Sequence, residues 1–143
     1  MKKILSVILC GLLLAGVCSC SKPSEEGAKD SFSVLFQNDC DVEIYGVSFT
    51  YSVGGKVLGS GGIVNADGTP IAEGEALTQS FGEKELSEHT DVSDFSLKLR
   101  LIGKDKSEYF CEGDISWAAQ YTGEYRISVK GSYEHGFSAQ LAN

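Results

Sequence analysis

Five cysteines and two histidines are the residues of this chain best equipped for chemistry, and their spacing excludes more than it allows. His89 and His135 each follow a glutamate but stand 46 residues apart, with no Cys/His cluster and no H-x-x-x-H pair, so no zinc site is expected. Asp39, Asp41 and Glu43 alternate at the start of a strand-like run. A calcium loop instead curls its carboxylates round the ion through a Gly turn, so these three read as solvated acids. Gly59-Ser60-Gly61-Gly62 is rich in glycine but lacks the Lys-Ser/Thr and the helix of a phosphate cradle. No G-x-S-x-G elbow is present, and two histidines in polar contexts give a catalytic triad little to build on. Acidic pairs abound, yet a single small domain offers little cleft for glycoside hydrolysis. The expectation is a protein that is not an enzyme and holds no metal or cofactor.

The cysteines divide into two groups. Lys2 and Lys3 precede an apolar run from Ile4 to Val17 that only Ser6, Gly11 and Gly16 interrupt, the layout of an export signal. A permanent span needs about 20 apolar residues, so the run is too short to stay in a bilayer. Reading back from Cys20 gives Ser19, Cys18 and Val17: two small residues preceded by an aliphatic one. Reading back from Cys18 puts the bulky Val17 next to the cut, and Cys10 lies inside the run. Val17-Cys18-Ser19-Cys20 therefore resembles the lipobox of a bacterial lipoprotein. That resemblance implies cleavage before Cys20, a thioether lipid on its sulfur and a further acyl chain on the freed amine. One chain of myristoyl length binds only marginally, at about 0.8 kcal/mol per buried CH₂, so the two or three chains of such an anchor imply durable attachment. Residues 1–19 are expected to be the signal peptide, 20–30 a lipidated Cys with a flexible tether, and 31–143 one domain.

Pro, Gly, Ser and charge without apolar period make Ser21 to Asp30 a linker. Its Cys-Ser-Lys start followed by Glu25 and Glu26 resembles lipoproteins of gut Gram-negative anaerobes, in which an early acidic stretch marks export to the outer face. A solvated linker is the other reading, so an outer-membrane location is expected with the side left open. Loss of Lys2 and Lys3 takes the net charge from −8 to −10. That sign opposes nucleic acid, whose phosphates demand a basic footprint, and leaves the lipid as the contact with the membrane.

Cys40 and Cys111 are the thiols that remain. They form an even pair, as suits an oxidising compartment, and a bridge would close a loop of about 70 residues worth about 4 kcal/mol in the chain-entropy model. Two separate, partly buried thiols are the alternative. Tyr109, Phe110, Trp117, Tyr121, Tyr125 and Tyr133 crowd the last third of the chain. Such rings fill cores, but exposed ones stack on sugars, and Trp117 beside Ser116 and Ala118-Ala119 is the candidate for ligand contact.

The elements that must position these residues are strands. Phe32, Val34 and Phe36 alternate with Ser33, Leu35 and Gln37, and Phe95, Leu97, Leu99 and Leu101 alternate most cleanly, against Ser96, Lys98, Arg100 and Ile102. In the second strand Val42 and Ile44 keep one parity while Tyr45, Val47, Phe49, Tyr51 and Val53 keep the other, which predicts a β-bulge near Gly46. Gly54-Gly55 predicts a two-residue hairpin, followed by a return strand broken at Gly59–Gly62. A helical turn is expected around Glu83-Lys84-Glu85-Leu86, and strands near Leu77–Phe81, Glu108–Glu112, Tyr125–Val129 and Phe137–Leu141.

Seven or eight short strands with turns every 8 to 12 residues predict an all-β antiparallel sandwich, immunoglobulin-like in architecture. Trp117 follows both cysteines instead of lying between them, a departure from true immunoglobulin domains. The strands and turns also resemble immunoglobulin-like secreted domains of gut bacteria without assigned activity. A tethered domain without a catalytic cluster acts through its surface, so a binding or interaction module is expected, with a carbohydrate-binding module or a structural subunit of an envelope assembly as alternatives. The partner is a protein or a glycan. Exposed aromatics around Trp117 would favour the glycan, and an exposed, flat, weakly charged edge strand would favour a protein.

Overall fold

Period-two alternation of apolar residues gives strands with one buried face, and nine strands form among the described residues. The computed structural model describes residues 30–142 except 88 and 90, so the expected signal segment, Cys20 and nearly all of the tether lie outside the described residues. The strands are β1 (Phe32–Asn38), β2 (Gly46–Val53), β3 (Lys56–Val64), β4 (Ala76–Phe81), β5 (Phe95–Ile102), β6 (Glu108–Glu112), β7 (Ile115–Trp117), β8 (Glu124–Ser132) and β9 (Gly136–Ala142). One helical turn, α1 (Glu83–Leu86), falls where the sequence places it.

The protein is all-β, in one curled sheet that nearly closes into a barrel. Its hydrogen-bonded order is β3-β2-β5-β6-β9-β8-β1-β4, with β7 paired to β5 beyond β6. The sheet is mixed: β1 runs parallel to β8 and β6 parallel to β9, while the other pairs are antiparallel. An expectation of antiparallel pairing throughout, in seven or eight strands, therefore needs correcting. Alternation says which face a side chain takes and is silent on which neighbour its strand joins. The short β7 escaped because three residues show hardly any period. β6 changes partner halfway, pairing with β5 through Phe110 and with β9 from Cys111.

Core parity follows the sequence closely. Phe32, Val34 and Phe36 are buried, as are Leu97, Leu99 and Leu101. At the centre Phe95 meets Phe32 edge-on at 4.9 Å and Phe81 at 5.0 Å, while Phe36 stacks on Phe49 at 5.6 Å. Rings in such contacts add about 0.5–1.5 kcal/mol each beyond their buried area. Asn38 and Ser128 are the buried polar exceptions among the described residues, and Asn38 is the deeper. The Asn38 Nδ2 donates to the Ile71 carbonyl at 2.8 Å and its Oδ1 accepts from the Cys40 N–H at 2.9 Å, which ties the β3–β4 connection to the end of β1.

Two local readings change. The parity slip before Gly46 is a break between elements: Ile44 forms an isolated bridge with Ile71, and β2 begins two residues later. The register irregularity lies instead between Tyr51 and Ser52, opposite Leu58. The glycine run does not interrupt the return strand, since β3 is continuous from Lys56 to Val64. The rings of β2 explain why. A Cβ on Gly61 would stand 2.9 Å from Phe49 Cζ, and one on Gly59 would stand 2.6 Å from the Tyr51 hydroxyl. Glycine lets these rings lie across the neighbouring strand. The Gly54-Gly55 hairpin forms as expected, both residues having positive φ (57° and 75°).

Candidate binding surfaces

The residues singled out by chemistry are spread over the sheet. His89 and His135 lie in separate connections, and His135 Nδ1 is 3.2 Å from Ser132 Oγ. No group of three His, Cys, Asp or Glu side chains suited to a metal occurs among the described residues. Asp39 is engaged locally: its carboxylate accepts from Ser128 Oγ and from Gln37 Nε2 (2.6 Å), which holds its pKa below the ordinary value. No helix among the described residues is long and apolar enough to cross a membrane.

Cys40 and Cys111 are both free thiols, buried after β1 and in β6. Cys40 Sγ donates to the Val129 carbonyl at 3.4 Å. Burial, with help from Asp41 and Asp39, pushes its pKa up to about 11. Burial and the nearby Cys40 push Cys111 up to about 12. The two thiols thus lie close enough for charge on one to be felt by the other.

Trp117 is half-buried at the end of β7, with its ring edge-on to Phe95 at 4.9 Å and tilted against Tyr125 at 5.4 Å. Its Nε1 is buried and unpaired. The ring is occupied by the core. Phe110 is the most exposed large apolar side chain among the described residues, with Arg100 4.9 Å above its ring.

The feature that sequence reasoning missed is the outer edge of β3. Among the described residues this strand ends the sheet path and pairs on one side only, with β2. It is nine residues long, and Lys56, at the hairpin, is its one charge. From Gly59 to Val64 its register with β2 is regular, the irregularity being confined to Leu58. Val57 and Val64 are 63% and 56% exposed at its two ends. Edge strands ordinarily carry charges, proline or bulges that discourage further pairing, and residues 59–64 carry none of them. β4, at the other end of the path, is also uncharged; the two come within 8 Å Cα to Cα without hydrogen-bonding. The missed signal was present in the sequence as nine residues of β-like or glycine character with a single lysine.

No protein-family model matches the chain, and no curated protein matches it. Among solved structures, it is similar to the NMR structure of a protein from Eubacterium rectale, at a TM-score of 0.43 and 8% identity over 80% of this chain and 89% of that one. It is also similar to a chain in the structure of a disulfide-locked mutant of intermedilysin with human CD59, at a TM-score of 0.38 and 11% identity, covering 79% of this chain but 24% of that one. Both scores lie below 0.5, and neither likeness bears on function.

Proposed function

We propose that this protein is a non-catalytic binding module of the bacterial cell envelope, held to the outer membrane by lipid on Cys20, which engages a partner protein by strand addition to β3. The observation that carries the reading is the edge of β3 that no described strand hydrogen-bonds, regular from Gly59 to Val64 and charged only at Lys56. A partner's extended segment gains main-chain hydrogen bonds there, and Val57 and Val64 supply apolar contact at either end. A fixed neighbour in an envelope assembly would use the same edge, so the structural-subunit reading differs in the permanence of the contact. The proposal also takes the curled sheet as an immunoglobulin-like sandwich, its two faces joined where β6 changes partner. Engagement of the Trp117 ring by Phe95 and Tyr125 favours protein over glycan at that end of the molecule.

The test is capture from envelope extract by the full chain and by a Ser60→Lys/Gly62→Glu variant. A Cβ on Gly62 finds its nearest neighbour at 3.5 Å, so the variant has room to fold and charges the edge alone. Loss of a wild-type partner by the variant supports strand addition, and equal capture by both refutes it. Turnover of any envelope substrate overturns the non-catalytic reading. Mass spectrometry of the mature N-terminus tests the anchor, an unmodified amine at a residue other than Cys20 being the adverse result. Surface proteolysis of intact cells, with and without Glu25→Ala/Glu26→Ala, assigns the side of the membrane.

A further inference from the structure

A hollow of about 550 Å³ opens where the segment before β2, the β5–β6 turn and the β8–β9 turn converge. Its walls include Tyr45, Tyr109 and Tyr133, with Glu43, Lys104 and Asp105 also lining it. The size falls within the range of about 300–1,000 Å³ typical of small-molecule sites.

Its aromatic part is held in place by named contacts. Tyr109 and Tyr133 meet edge-on at 4.8 Å, and both rest on Phe137, at 5.9 and 5.4 Å. The Tyr133 hydroxyl donates to the Glu43 carbonyl at 2.6 Å, which pins the β8–β9 turn against the segment before β2. Tyr45 is fixed by its N–H, which donates to the Ile102 carbonyl at 2.7 Å, and its hydroxyl donates to Glu43 Oε2 at 3.1 Å. Gly103 gives Tyr109 its room, because a Cβ there would stand 2.9 Å from the ring. Even so, Tyr133 stays 44% exposed, so ring surface is offered to solvent at fixed orientation.

We infer that this hollow binds a neutral pyranose. Aromatic faces suit the apolar C–H face of a sugar ring, whose hydroxyls need both donors and acceptors around it. Lys104 supplies donors, and the Glu43 and Asp105 carboxylates supply acceptors, each carboxylate having about four lone-pair sites. Asp105 spends some of these on Ser107, accepting from its N–H at 3.0 Å and its Oγ at 2.7 Å, which fixes the carboxylate in place. Two carboxylates disfavour an anion. Lys104, which forms no ion pair among the described residues, disfavours an organic cation in an aromatic cage. A ligand with an apolar face and a neutral polar belt satisfies all of these groups. The site is separate from the β3 edge, and neither proposal rests on the other.

Saturation-transfer and amide-shift NMR on the full chain in a non-glycosidic micelle test the inference. The probes are methyl glucopyranoside, methyl galactopyranoside, N-acetylglucosamine and cellobiose, with choline and inorganic phosphate as the cationic and anionic comparisons. The expected result is saturable binding of at least one sugar, with shifts at 43–45, 103–105 and 133. Tyr133→Ala and the exposed Lys104→Ala should each weaken it, the former about tenfold or more as loss of a stacking anchor does. Should Tyr133→Ala fail to fold, Lys104→Ala and Asp105→Asn carry the comparison. The Ser60→Lys/Gly62→Glu variant should bind sugar normally. Absence of saturable sugar binding, shifts confined elsewhere, indifference to Lys104→Ala and Asp105→Asn, or preference for choline or phosphate overturns the assignment.

Discussion

Cys40 and Cys111 show at the scale of single residues how burial sets reactivity. The thiolate is the nucleophile, and both groups are held protonated by their surroundings. Iodoacetamide at pH 8 should therefore label the native protein far more slowly than the urea-unfolded chain, as read by intact mass. The same shifts link stability to pH. A thiol whose pKa rises on folding favours the native state fully below its unfolded value near 9, and loses that contribution as pH climbs through about 11 to 12. Denaturation midpoints should fall between pH 9 and pH 11, and Cys40→Ala should flatten that fall; a midpoint constant over the window contradicts the account. The sequence leaves bridged and separate thiols equally open, because it contains no distance. Non-reducing peptide mapping after mild oxidation distinguishes them.

β3 is the element on which the sequence misleads most, and the cause is specific. Its glycines carry no side chain with which to alternate, so a period-based reading ends the strand where the rings of Phe49 and Tyr51 in fact lie across it. Gly61→Val should cost about 1–3 kcal/mol, because Phe49 is 2% exposed and stacked on Phe36 with nowhere to move. Gly62→Val, on the open face, should cost clearly less, and urea titration of the two variants makes the comparison. Where side chains do alternate, the sequence is a good guide: β1, β5 and the Gly54-Gly55 hairpin lie as their residues predict. Other features need contacts that no local pattern records. The burial of Asn38 depends on Ile71, 33 residues away, and the tyrosine hollow assembles Tyr45, Tyr109 and Tyr133 from three separate segments.

For the whole molecule, the sheet order matters more than any one strand. β1 lies between β8 and β4, with Ser33 opposite both Glu124 and Ser80. That order has a temporal consequence. The first of these strands cannot complete its pairing until residues 124–129 exist, so the join of β1 to β8 is among the last parts of the sheet to form. Chains dominated by such distant pairings fold in about milliseconds to seconds, well behind helical bundles of similar size. Stopped-flow refolding should show that range, and a chain ending at 123 should be open to protease along its length. A resistant fragment spanning β1 to β5 would show that the early strands settle without β8. A polypeptide that stays open until residues 124–129 have been made remains threadable through most of its synthesis, whatever passage it is then given.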